Sequence, residues 1–129
     1  MAASLDDLVV DEGEIDQRLL SSILAPYARI ARQTGRPIFT GDFATLSESD
    51  KIVVFLLARK AGFRLGLLKE PEEVGPKEIS AQTGVRYGTV KPTVVGLADK
   101  GVLASRDGRY SVPNHAVSQL EGRLTRGTR

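Results

Sequence analysis

Between Arg86 and Thr93 the chain reads RYGTVKPT, which brings Arg86, Tyr87, Thr89, Lys91 and Thr93 into one short stretch. Further on, Arg106 and Arg109 bracket an Asp-Gly dipeptide, and Lys77 and Lys100 lie on either side of the whole segment. Guanidinium and ammonium groups neutralise phosphates, and hydroxyl, amine and aromatic side chains presented by a helix can reach base edges. A helix start adds free amides and the positive end of the dipole, which favour an anion. Taken singly, Lys77, Lys91 and Lys100 read as ordinary solvated charges. Arg86 with Tyr87, and Arg106 with Arg109, are stronger candidates because a helix start and a hairpin tip both project.

Three local elements must hold these residues. Pro76 opens a short helical pattern with Ile79 inward, and Thr83-Gly84 closes it, since glycine readily takes the left-handed backbone that ends a helix. Val85 then re-enters the core. A second helix follows with Val90, Val94 and Leu97 on one buried face, and Thr89 is its expected cap. Starting that helix at Thr89 keeps Pro92 within the first turn, where proline is tolerated. Lys100-Gly101 ends it. Residues 102–106 and 109–112 are strand-like, and Asp107-Gly108 is the dipeptide that fits a two-residue hairpin turn. Val74 is expected to add a short strand beside that hairpin. The outer side of the second helix carries Pro92, Val95, Gly96 and Asp99, a face poor in the Arg, Asn and Gln side chains that read bases bidentately.

A helix, a short turn, a second helix and a hairpin in this order resemble the winged helix-turn-helix superfamily. The residues that carry the likeness are Glu78-Ile79, Gly84-Val85, Gly88-Thr89-Val90, Leu97, Gly101-Val102-Leu103 and Arg106-Asp107-Gly108-Arg109-Tyr110. The resemblance implies a mainly α fold with a small β-hairpin wing, here with an extra amino-terminal helix and a short carboxy-terminal one. It also implies double-stranded DNA as partner. A transcriptional regulator acting as a homodimer would enter the major groove with the Thr89 helix and grip the flanks with the wing arginines. The alternative is a protein-protein adaptor docking through Pro92, Val95 and Gly96.

Outside that segment, residues 1–13 read as a flexible acidic arm. Leu5, Leu8, Val9 and Val10 are available to dock if a groove exists, or the arm covers the basic face. Residues 14–46 read as a helix from Glu14 to about Gln33 and an extended connector, packed on the domain or on a dimer partner. Ile15, Leu19, Ile23, Tyr27 and Ile30 form the apolar stripe of that helix, and Pro26 bends or splits it. Residues 47–124 form the winged domain, whose first helix is capped by Ser47 or Ser49 and runs to about Ala61. Lys69 to Glu73 reads as a solvated turn, and Asn114 as the cap of the last helix. Residues 125–129 are a basic tail, with Arg123, Arg126 and Arg129 at this end. Phe39, Phe43 and Phe63 are core residues or the lining of an effector pocket.

Composition excludes much else. With 41% apolar and 26% charged residues in 129, the chain suits one globular domain. The net charge is only +2, yet six acids and no cation occupy the first sixteen residues, leaving the remainder near +8. Neither disulfides nor thiolate metal sites are available without cysteine, and the single histidine, His115, reads as a capping or surface residue. No phosphate loop, nucleophile elbow, paired-histidine helix or EF-hand is found, so no enzyme and no cofactor is expected. A signal peptide and a membrane-length apolar run are both missing, which makes the cytoplasm the expected compartment.

Overall fold

The computed structural model describes residues 5–9 and 12–127, so part of the expected arm (1–4, 10 and 11) and of the expected tail (128 and 129) lies outside the described residues. Among the described residues the chain is mainly helical, with five α-helices and two small antiparallel hairpins.

The fold is assembled around α2, Glu48–Arg64. Ser47 starts it by accepting a hydrogen bond from the Asp50 amide at 3.1 Å. The run from Ile52 to Ala58 is buried on every side. A helix that is apolar all round has to be surrounded, and α2 touches every other α-helix and both hairpins. No helix among the described residues is long and apolar enough to cross a membrane.

The amino-terminal helix, α1, is Glu12–Leu24, with Leu20, Ile23 and Leu24 packed into the core of the same chain. The helix expected to reach Gln33 stops nine residues earlier than that position. Pro26 lacks the amide needed to continue it and disfavours helical backbone at Ala25. Instead of resuming, the chain forms a hairpin from β1, Ala28–Ile30, and β2, Pro37–Phe39, with Arg29 opposite Ile38. Gly35 takes φ +74° in the connecting turn, and a Cβ added to it would lie 2.2 Å from the Leu68 amide nitrogen. A Cβ on Gly62 of α2 would lie 2.1 Å from the Gly35 carbonyl oxygen. Two glycines therefore let the hairpin tip sit directly on the end of α2. The expected extended connector thus contains β2 and a 3-10 helix, Gly41–Thr45, in which Phe43 is buried.

Sequence reasoning also missed two buried cations on α2, Arg59 and Lys60. Arg59 is 3% exposed and gathers the segment that links α2 to the next helix. Its Nη2 donates to the Pro71 carbonyl at 2.5 Å and its Nε to the Glu72 carbonyl at 3.3 Å. Nη1 reaches Glu70 at 3.5 Å and Glu78 at 3.4 Å. Lys60 lies 3.8 Å from Glu72, and Arg36 pairs with Glu70. The stretch from Lys69 to Glu73 is therefore not a free solvated turn. Donation from Arg36 holds the Glu70 carboxyl below the usual carboxylate range, whereas burial pushes that of Glu72 up.

The carboxy-terminal helix, α5, spans Val117–Gly127, after a 3-10 turn over Asn114–Ala116. Asn114 does not cap it; its Oδ1 accepts from Arg64 at 2.8 Å. Nor does Arg123 belong to a loose tail. Its guanidinium ties α5 to the start of α2 through Asp50 at 2.8 Å and Ser49 at 2.5 Å, and the helical backbone continues to Gly127, past the expected start of the tail at residue 125.

Candidate nucleic-acid interface

Helix α3, Pro76–Thr83, ends on Gly84 at φ +81°. The turn that follows is held by side chains. Thr83 donates to the Ile79 carbonyl at 2.7 Å and accepts the Val85 amide at 3.2 Å, while Ser80 donates to the Val85 carbonyl at 2.6 Å. Val85 is buried as expected. This fixes the direction in which the next helix leaves.

That helix, α4, is Tyr87–Asp99, so it begins two residues before Thr89. Arg86 is the N-cap residue by backbone geometry (φ −62°, ψ 141°), with no side-chain capping bond, and no acid occupies the first turn. Thr89 is thus inside the first turn and is not the cap. Pro92 falls beyond the first turn, and its missing amide leaves the Gly88 carbonyl without its helical donor. Gly88 and Pro92 are both exposed, so water can take the place of that donor. Burial of Val90, Val94 and Leu97 holds the helix against the interrupted ladder.

The wing-like hairpin pairs β3, Ala104–Arg106, with β4, Arg109–Ser111, setting Arg106 directly across from Arg109. Asp107 and Gly108 both take positive φ, 54° and 76°, as a primed two-residue turn requires. Val74 exchanges two backbone hydrogen bonds with Tyr110, at 3.0 and 2.8 Å, which anchors the hairpin to the linker in the way expected of a short strand there.

The eight candidate residues divide into groups. Arg86, Tyr87 and Lys91 are exposed along the amino-terminal half of α4, where Tyr87, Lys91 and Val95 follow each other at intervals of four on one stripe. Arg106 and Arg109 are exposed at the hairpin, and Arg109 Nε donates to the Glu73 carbonyl at 3.4 Å. Lys100 stands at the other end of α4, about 20 Å from Arg86 at 1.5 Å per residue. There it complements the negative end of the dipole. Thr89 and Thr93 are half-buried and joined to each other, the Thr93 hydroxyl donating to the Thr89 carbonyl at 2.7 Å. That proton is unavailable to a base.

The ion-paired cations lie outside α3, α4 and the β3–β4 hairpin. Arg36, Arg59, Lys60 and Arg123 all meet carboxylates. Lys77, Arg86, Lys91, Lys100, Arg106 and Arg109 make no ion pair among the described residues. Glu78, the acid nearest to Lys77 in sequence, is turned to Arg59.

Phe39, Phe43 and Phe63 are not gathered into one cluster. Phe39 stacks on Phe43 with centroids 3.9 Å apart and leans on Phe55, whereas Phe63 is exposed. His115 is also exposed, its Nε2 lying 3.3 Å from the Gly101 carbonyl. No protein-family model matches the chain, and no curated protein or solved structure matches it.

Proposed function

We propose that this chain is a winged helix-turn-helix protein that binds duplex DNA and regulates transcription as a homodimer. Helix α4 would lie against the major groove and the β3–β4 hairpin against the flanking backbone. The observation that carries this reading is the run of six cations without carboxylate partners from Lys77 to Arg109, along α3, α4 and the hairpin. Because α4 offers few base-reading side chains and Thr93 is bonded inward, phosphate contact dominates and sequence preference is weak.

The test is anisotropy of labelled random-sequence duplex across a salt series, with the Arg86→Ala/Arg109→Ala variant alongside. Affinity should fall steeply with salt, and the double variant should reduce the log-log slope by about one per lost phosphate contact. Absence of binding at low salt would reject the reading. It would then favour an adaptor docking through Pro92, Val95 and Gly96, a surface where Tyr87 and Val95 are already 43% and 44% exposed.

A further inference from the structure

Between Arg64 and Pro76 the chain has no helix or strand of its own, apart from the isolated bridge at Val74. The course of this linker is set by what grips it, and the grip changes sides after Glu72. Up to that residue the linker is held from the core helix. Arg59 donates to the Pro71 and Glu72 carbonyls and faces Glu70, and Lys60 lies beside Glu72. From Glu73 onward the linker holds the β3–β4 hairpin. The Glu73 carbonyl accepts from Arg109 Nε, and Val74 exchanges its two backbone bonds with Tyr110. Gly75 lies against the turn itself, where a Cβ added to it would fall 3.9 Å from the Gly108 carbonyl oxygen.

The hairpin has little of its own to fix where it points. A two-stranded pair is marginal by itself, and within β3 and β4 only Tyr110 is buried. Tyr110 pins the base of β4 to the core. The tip beyond it, Arg106 to Arg109, is exposed and meets the linker at Glu73 and Gly75.

We infer that Arg59 is a positioning residue for the hairpin tip: by holding two successive carbonyls of the linker, it fixes where Glu73 to Gly75 meet Arg109, Tyr110 and Gly108. A guanidinium suits this role because its donors form a planar fork, whereas an ammonium is a single centre on a flexible stem. At 3% exposure Arg59 itself reaches no external partner. The tether stands on contacts within the chain, and only its effect on duplex binding rests on the function proposed above.

Amide hydrogen exchange of the full chain, resolved residue by residue, tests the tether without any ligand. In Arg59→Met, protection of the Val74 and Tyr110 amides should fall roughly tenfold further than that of Leu56 and Val94, the effect of a lost buried hydrogen-bond partner. Arg59→Lys keeps the buried charge without the fork, so the selective loss should persist; it also carries the comparison should the methionine variant not fold. Equal loss at all four amides overturns the inference, as does full protection of Val74 and Tyr110 in the lysine variant. On labelled duplex, Arg109→Ala should lower the log-log salt slope by about one in the wild-type background and by less in Arg59→Met. An undiminished Arg109 effect would also overturn it. Failure of the wild-type chain to bind duplex would instead remove the DNA reading and leave the exchange result to decide the tether.

Discussion

Arg59 shows how far a single side chain can organise the backbone around it. Its guanidinium holds two carbonyls and faces two carboxylates at once. Removing the guanidinium leaves the Pro71 and Glu72 carbonyls without their donor, which costs about 1–3 kcal/mol, while Glu70 and Glu78, each 40% exposed, regain water. Arg59→Met should therefore lower stability by that order in a denaturant titration, even though methionine fills much of the same space. Nothing near Arg59 in sequence announces this role. In VVFLLARKAGF it reads as the first polar residue after an apolar run, and its partners come from a segment eleven to nineteen residues away. The exposed cations of α4 and the hairpin were legible for the opposite reason, since a helix start and a tight turn project side chains by local geometry alone. The start of α4 was misplaced because Pro92 was weighed against local rules, whereas burial of Val90, Val94 and Leu97 decides where that helix can run.

Elements divide along the same line. Helix α3, its glycine stop, α4 and the β3–β4 hairpin were readable because turn chemistry specifies them within a few residues. The β1–β2 hairpin was not, because its tip is fitted onto α2 across a contact between Gly35 and Gly62 that no short window contains. One substitution type separates the two situations. Gly62→Ala drives a methyl group into the Gly35 carbonyl and should destabilise by about 1–3 kcal/mol, as overpacking does. Gly96→Ala, inside α4 with nothing within 4 Å of the added methyl, should stabilise by about 0.5–1 kcal/mol through helix propensity. Thermal unfolding of both variants measures the contrast; equal shifts would mean that the hairpin tip does not rest on α2.

At the scale of the molecule, α2 is the axis on which a helical bundle and a helix-turn-helix-hairpin unit share one core. The apolar run from Ile52 to Ala58 requires this helix to be enclosed, but does not say that α1 and α5 both pack on it from the same chain. The distribution of its cations has a consequence for cleavage. Trypsin cuts preferentially at exposed loop tips, where a Lys or Arg side chain is free to enter its specificity pocket. Of the 18 such residues, Arg59 and Lys60 are buried in mid-helix, while Arg106 and Arg109 stand exposed on strands only three residues long at a two-residue turn. The first nick in a limited digest should therefore fall at that turn, giving two fragments that stay associated until denatured. Duplex DNA bound as proposed would lie over the same turn, so adding it should slow that nick while leaving later cuts elsewhere unchanged.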